Sequence, residues 1–321
     1  MVSPAPSVPD APADARRVGF LGPQGTFTEQ ALLTQADLKG AELVPCETIA
    51  EVIASTAAGE LDLGFVPIEN AIEGTVNVTL DTLAFDTDLL IQREVEISIQ
   101  LDLLGVPGAD LAGVTTVTSY PHALAQCPSF LHRTLPEART AAATSTAEAA
   151  RLVAESGDPT VAAIGTALAA EIYGLDVLAT DIEDHTDNQT RFVLLAREGM
   201  PPASGHDKTS VVIFQRTDQP GTLLTILGEF AARSINLTKL ESRPTKKGLG
   251  HYCFIIDLEG HIAEELVADC LRDLKSKCED VKFLGSYPAA GAHGPAVRRE
   301  AEAAWADADA WLARLRAQIQ P

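Results

Sequence analysis

Short apolar runs alternate with longer stretches of helical spacing along the first two hundred positions of the chain. Runs typical of strands lie at Arg16–Leu21, Glu42–Pro45, Leu61–Val66, Leu89–Leu104, residues 115–118, Val161–Gly165, Val177–Asp181 and within Asp187–Leu195. Helical patterns lie between them at Thr28–Leu38, Thr48–Ala58, Val76–Ala84 and Thr166–Tyr173, with further helix starts after Ser119 and at Ser145. Strands that alternate with helices indicate an α/β fold with a parallel sheet. We expect a second lobe at about residues 100–175, and therefore a cleft between two lobes.

The pattern changes after a proline-rich linker at Pro201–Gly205. Strand and helix patterns then follow in the order Ser210–Gln215 (β), Thr222–Arg233 (α), Leu237–Arg243 (β), Tyr252–Leu258 (β), Ala263–Lys277 (α) and Lys282–Tyr287 (β). This βαββαβ order is that of a ferredoxin-like unit. The helices carry apolar residues at helical spacing, so each is expected to pack one face on the sheet.

The two ends of the chain fall outside these patterns. Residues 1–15 are rich in proline and alanine, and they predict a disordered lead-in rather than a signal peptide. Ala296–Gln318 predicts a helix, within a C-terminal helical region of residues 295–318. Its two tryptophans, Trp305 and Trp311, indicate docking on the body of the protein or on another subunit.

Composition and charge narrow the function classes. The chain has 321 residues, of which 46% are hydrophobic, and a formal net charge of -21. Such acidity argues against nucleic-acid binding, which needs a basic face, and no apolar run is long enough to span a membrane. The five cysteines are scattered and form no C-x-x-C pair, which argues against disulfides and zinc and favours the cytoplasm. The glycines of Gly22–Thr26 match no nucleotide-binding loop.

Candidate chemistry lies first in the stretch from Asp187 to Leu195. Its polar start and apolar end place Thr190 and Arg191 where a loop enters a strand, a position from which a rigid element presents side chains. A threonine hydroxyl can donate and accept a hydrogen bond, and an arginine can fork two bonds to a carboxylate. The alternative is a β-branched strand residue beside a surface charge.

Other candidates lie at the ends of predicted strands. Glu69 and Asn70 follow the third strand, where open α/β sheets bind ligands, although Asn70 also suits a helix cap. Ser119 and Gln126 are expected to supply neutral hydrogen-bonding groups. His122 is expected to be structural rather than a general base, because the sequence places no carboxylate beside it. Ser145 and Glu148 form a capping box whose helix start can also hold a carboxylate.

Taken in order, these motifs resemble the prephenate dehydratase family followed by an ACT regulatory domain. The residues that carry the resemblance are Gly22-Pro23-Gln24-Gly25-Thr26-Phe27, Pro67-Ile68-Glu69-Asn70, Glu73-Gly74, Ser119 to Cys127, Thr190-Arg191-Phe192 and Glu241-Ser242-Arg243-Pro244. The resemblance covers about residues 16–287. It implies a two-lobed, periplasmic-binding-protein-like catalytic part at residues 16–200 and a ferredoxin-like ACT domain at residues 207–287.

The resemblance also implies the reaction and its residues. Prephenate loses carbon dioxide and its ring hydroxyl to give phenylpyruvate, a step of phenylalanine biosynthesis that needs no metal or other cofactor. The family's functional threonine corresponds to Thr190. The implied substrate-binding residues are Glu69, Asn70, Ser119, Gln126, Arg191 and Phe192. Arogenate dehydratase, which shares fold and chemistry, and a non-catalytic amino-acid sensor are the alternatives.

For the ACT domain the resemblance implies phenylalanine as an allosteric effector, bound where two ACT domains meet. The implied effector-binding residues are Leu223, Asn236, Leu237, Glu241, Ser242 and Arg243. Such an arrangement requires a homo-oligomer, a dimer or a tetramer. The chain departs from the family at Thr222, where alanine is usual, and at Ala71, where serine is frequent.

Overall fold

The computed structural model describes residues 16–216, 219–245 and 252–290, together with residues 308, 310, 311 and 313–318. Its strands are β1 Arg17–Leu21, β2 Glu42–Cys46, β3 Leu63–Asn70, β4 Gly74–Thr75, β5 Leu90–Ser98, β6 Asp102–Gly105, β7 Thr116–Ser119, β8 Arg139–Ala142, β9 Val161–Gly165, β10 Asp176–Ala179, β11 Gln189–Ala196, β12 Asp207–Phe214, β13 Leu237–Pro244, β14 Tyr252–Glu259 and β15 Asp280–Pro288. Its helices are α1 Phe27–Leu33, α2 Ile49–Ala58, α3 Asn77–Phe85, α4 Pro121–Ala125, α5 Pro128–Thr134, α6 Thr146–Ser156, α7 Ala167–Tyr173, α8 Thr222–Ala231 and α9 Glu265–Lys277.

These elements divide into two compact units. The described part of the N-terminal unit comprises residues 16–82 and 95–197. The C-terminal unit comprises residues 83–94 and the described residues from 198 onward. Strand β5 therefore begins in one unit and ends in the other.

The N-terminal unit is built on two sheets, one for each lobe. The first has the strand order β2-β1-β3-β11-β5, with β4 beside β3, and the second has the order β10-β6-β9-β7-β8. Strands β1, β2 and β3 run parallel, whereas β11 returns antiparallel to β3. The two-lobed α/β architecture expected from the sequence is thus confirmed.

The single strand predicted at Leu89–Leu104 is wrong, because the structure has β5 and β6 there, in different sheets. Between them the backbone bonds to loops instead of a strand partner. Ile99 N donates to Asn188 O at 2.8 Å, and Leu101 N donates to the Glu183 carboxylate at 2.9 Å. The chain crosses between the two sheets at this point, as the sequence indicated.

Two other elements differ from expectation for local reasons. Helix α1 ends at Leu33 rather than Leu38, since the Thr34 hydroxyl donates to Ala31 O at 2.7 Å and so competes with continued helical bonding. Strand β8 was not predicted. All four of its side chains are exposed, so it carries no alternation of buried and exposed positions.

The C-terminal unit contains a four-stranded antiparallel sheet in the order β13-β14-β12-β15, with β13 at an edge. Helices α8 and α9 contribute Ile226, Phe230, Val267 and Leu274 to an apolar core that also includes Ile256 of β14. The βαββαβ order predicted from the sequence is confirmed.

Residues 83–94, which precede the second lobe in the sequence, also pack on this sheet. The Phe85 ring meets the Phe214 ring edge-on at 6.2 Å between centroids. The carboxylate of Glu94, fully buried, lies 2.7 Å from Lys208 Nζ. At Gly285, with φ 139°, a Cβ atom would come within 2.5 Å of Ile91 O, so the close approach of backbone to backbone requires glycine.

The predicted lead-in at residues 1–15 lies outside the described residues, and so do Trp305 and most of the predicted helix Ala296–Gln318. Residues 308, 310, 311 and 313–316 are helical, and Trp311 is exposed. Across the described ranges, no helix combines the length and the apolar character that a membrane span needs.

Candidate active site

A cavity of about 430 Å³ opens in the N-terminal unit, within the size range of small-molecule sites. Residues from both lobes line it. They are Leu21, Gly22, Pro23, Thr26, Phe27, Thr28, Glu47, Pro67, Asn70, Glu73, Ile99, Leu101, Tyr120, His122, Ala123, Gln126, Thr144, Ser145, Thr146, Asn188, Thr190 and Phe192. We call this cavity the cleft.

Thr190 and Asn70 lie side by side in the floor of the cleft. They are direct partners across strands β11 and β3. Asn70 Nδ2 donates to Thr190 Oγ1 at 2.8 Å, while Asn70 Oδ1 accepts from the backbone N–H groups of Ile72 and Glu73. Because the hydroxyl oxygen already accepts a bond from the amide, its own proton is directed elsewhere, and the cleft is where this side chain is accessible.

Asn188 extends this polar network to the second lobe. Its Oδ1 accepts from Asn70 Nδ2 at 2.9 Å, and its Nδ2 donates to Gln126 Oε1 at 3.0 Å. Asn188 is almost fully buried, so both bonds form away from bulk water. The sequence interpretation assigned Asn188 no role, although it directly precedes β11 and lines the cleft with Thr190 and Phe192, which share one face of that strand.

The start of α6 brings polar backbone and hydroxyl groups to the cleft. Thr144, Ser145 and Thr146 line it, and Ser145 Oγ accepts from Glu148 N at 2.9 Å as the capping box predicted. The start of α1 is different. Both helix starts have a side-chain cap, but the Glu29 carboxylate also accepts from Gly25 N at 2.6 Å, whereas the Glu148 carboxylate of α6 is bonded to Arg151. Of these two helix starts, α6 is therefore the better anion-binding position.

His122 and Glu73 approach each other at the cleft from opposite lobes. His122 lies in α4, and Glu73 lies in the turn between β3 and β4. His122 Nδ1 is 2.9 Å from Glu73 Oε1, and the imidazole stacks on the Tyr120 ring at 5.1 Å between centroids. The structure thus supplies the carboxylate partner that the sequence did not place beside His122.

Three predicted substrate-binding residues do not line the cleft. Arg191 and Glu69 are partners across β11 and β3, one residue along from the Thr190–Asn70 pair. Arg191 Nη2 lies 3.2 Å from Glu69 Oε2. Strand alternation directs them away from the face that carries Thr190. Ser119 is fully buried, and its hydroxyl donates to Ile164 O at 2.6 Å. Their roles stay predictions, whereas Thr190, Asn70, Gln126 and Phe192 are brought together.

The groups near the cleft do not form a nucleophilic or metal centre. Burial, reinforced by the charges of Glu183 and Asp184, raises the pKa of the Cys127 thiol to about 12, so this thiol stays protonated. Among the described residues, no three His, Cys, Asp or Glu side chains cluster as metal ligands. Around Thr190 the cleft offers hydrogen bonding by the neutral side chains of Asn70, Asn188 and Gln126.

A second groove, of about 440 Å³, lies in the C-terminal unit between α8 and the end of β13. Leu223 and Ser242, both predicted to bind effector, line it together with Thr222, Tyr252 and Phe254. The other predicted effector residues lie on β13 or directly before it. Glu241 and Arg243 lie 3.6 Å apart at register positions that alternate with Ser242, Leu237 packs on the core, and Asn236 Nδ2 donates to Glu259.

Comparisons with known proteins agree with this anatomy. The family model described as prephenate dehydratase matches residues 18–200, and the ACT domain model matches residues 209–276. A prephenate dehydratase of Mycolicibacterium vanbaalenii is 41% identical over 313 residues, covering 93% of this chain and 98% of the relative.

Two solved structures are also similar. Prephenate dehydratase of Arthrobacter aurescens in complex with L-Phe has a TM-score of 0.84 at 41% identity, covering 93% of this chain and 99% of that one. A protein described as a novel type of quorum-quenching acylase has a TM-score of 0.76 at 31% identity, covering 86% of this chain and 98% of that one.

The fold and the matched family models define a lyase with a two-lobed α/β catalytic part and an attached ACT domain. Neutral hydrogen-bonding groups lie at the floor of the cleft, and a separate groove lies in the ACT domain. The chain belongs to the prephenate dehydratase family.

Proposed function

We propose that the chain converts prephenate to phenylpyruvate in the cleft, with the Thr190 hydroxyl as hydrogen-bond donor to the leaving ring hydroxyl. The observation that carries this role is the bond from Asn70 Nδ2 to Thr190 Oγ1 at 2.8 Å. An amide that donates to the threonine oxygen leaves the threonine proton for a substrate oxygen. Asn188 and the backbone of residues 72 and 73 hold that amide in place.

The bonds that break in prephenate require only limited stabilisation by the protein. The bond from the ring to its carboxylate breaks and releases carbon dioxide, and its electron pair completes the aromatic ring as the carbon–oxygen bond opposite breaks. Hydroxide leaves and takes up a proton to become water. Because threonine is a weak acid, its hydroxyl stabilises the departing oxygen by hydrogen bonding, and the proton itself comes from water. Aromatisation supplies the driving force.

Substrate turnover tests the proposal. Purified protein mixed with prephenate should produce phenylpyruvate, which is followed by its absorbance, at a rate proportional to enzyme concentration. Arogenate in parallel should give phenylalanine more slowly, since the family model and the relatives name prephenate. Faster turnover of arogenate would reassign the substrate, and turnover of neither would leave the amino-acid sensor as the better description.

We also propose that phenylalanine binds the C-terminal unit and that the protein is a cytoplasmic homo-oligomer. Two features support an interface between ACT domains. Within the described residues, strand β13 lies at an edge of the four-stranded sheet, and edge strands favour pairing with a strand of another copy. Leu240 on that strand and Leu224 on α8 are large apolar side chains with 44% and 74% exposure. The groove lined by Leu223 and Ser242 adjoins both elements.

Phenylalanine is expected to change the rate of prephenate turnover. Replacing Arg243 or Asn236 with alanine should raise the phenylalanine concentration needed for half of the effect by about tenfold, within the usual range of allosteric coupling. Titrations of the rate against phenylalanine measure this shift. The matched control is Arg272→Ala, which removes an exposed arginine of α9 elsewhere in the same domain. An unchanged response in both variants would remove these residues from the effector site.

A further inference from the structure

The cleft is lined by more acidic than basic side chains, although its proposed substrate carries two carboxylates. Glu47 and Glu73 line it, and both carry acidic side chains. Among the described residues that line the cleft, His122 is the only one whose side chain can carry a positive charge. Arg191, the arginine expected to bind a carboxylate, is engaged with Glu69 outside the cleft.

The partner that His122 now has is easily replaced. An ionised carboxylate such as that of Glu73 can only accept hydrogen bonds. The 2.9 Å contact is therefore a hydrogen bond donated by His122 Nδ1–H. The side chains of His122 and Glu73 are 54% and 41% exposed, and exposed pairs of this kind contribute little to stability. The Tyr120 ring stacks on the imidazole and lines the cleft beside it, so the two rings together form one part of the cleft wall.

We propose that His122 is a substrate-binding residue that exchanges the Glu73 carboxylate for the side-chain carboxylate of the substrate. This inference rests on the proposed function and extends it. The substrate carboxylate that is retained in the product is the one to bind. A cation on the departing ring carboxylate would stabilise the ground state more than the transition state and would slow its loss. His122 therefore contributes to binding of substrate and of product alike.

Replacing His122 with glutamine tests the exchange. KM for prephenate should rise about tenfold, the cost of losing one charge-assisted hydrogen bond at a partly exposed position, while kcat stays within about twofold. The inhibition constant of phenylpyruvate should rise by the same factor, because the product keeps the same carboxylate. His122→Lys should restore a KM close to that of the unaltered protein. The matched control is His132→Gln on α5, an exposed histidine that does not line the cleft.

The outcomes separate this inference from the proposed function. Absence of phenylpyruvate formation by the unaltered protein would contradict the proposed function. An active protein whose His122→Gln variant has unchanged KM and an unchanged melting temperature would overturn the exchange. A rise in KM without a matching rise in the phenylpyruvate inhibition constant would overturn it as well, since His122 would then not bind the retained carboxylate.

Discussion

Replacement of Thr190 by alanine is expected to lower kcat for prephenate by about a hundredfold to a thousandfold, the usual cost of removing one hydrogen-bond donor to an oxygen that gains negative charge. The variant loses the only side-chain hydroxyl on the β11 face that lies beside Asn70 in the cleft. Its backbone pairing with β3 does not involve the side chain, so the melting temperature should change little. Single-turnover measurements of phenylpyruvate formation at saturating prephenate report the chemical step directly.

Thr190→Ser provides the control for this experiment. It keeps a hydroxyl that accepts from Asn70 and donates to the cleft, so it should retain activity within about tenfold of the unaltered protein. A Thr190→Ala variant with nearly normal kcat would exclude the hydroxyl from the reaction. Equal losses in both variants would indicate packing by the threonine methyl group instead of hydrogen bonding.

The second large effect is expected at Asn70. Asn70→Asp replaces an amide that donates to Thr190 Oγ1 and Asn188 Oδ1 with a carboxylate that only accepts. The Thr190 hydroxyl should then donate to the introduced carboxylate, which turns its proton away from the substrate. We expect kcat to fall about a hundredfold at pH 8.

The pH profile identifies the cause of that loss. A protonated carboxyl group can donate once more, so the activity of Asn70→Asp should recover as the pH falls, after subtraction of the rate without enzyme. Asn77→Asp, at the start of α3 and outside the cleft, is the matched control and should retain full activity. A loss at Asn70 that is independent of pH would contradict the donor role of the amide.

Local patterns were sufficient for much of the fold and for the centre of the site. Alternation of strand and helix patterns predicted the two-lobed α/β part, and the change of order after the linker predicted the ferredoxin-like unit. Strand ends pointed to Asn70 and Thr190. Strand periodicity further predicts that residues 190 and 192 share one face and that Arg191 faces the other way.

Other features depend on contacts between distant parts of the chain. Glu73 and His122 lie on different lobes, and no sequence spacing relates them. The Ser119 hydroxyl satisfies a carbonyl of the neighbouring strand, a preference that the local sequence does not contain. The break between β5 and β6 is likewise set by bonds to Asn188 and Glu183, which follow much later in the chain.

The assignment of residues 83–94 to the C-terminal unit bears on how far the protein can be dissected. Phe85 and Glu94 precede most of the catalytic part, yet their partners Phe214 and Lys208 follow the linker. Truncation at Pro201–Gly205 would remove Lys208, the ammonium partner of the buried Glu94 carboxylate. It would also expose the Phe85 ring to water, and both changes are unfavourable. The regulatory domain therefore cannot be removed without a loss of stability in the catalytic part. We expect the isolated catalytic fragment to be less stable as well as unregulated.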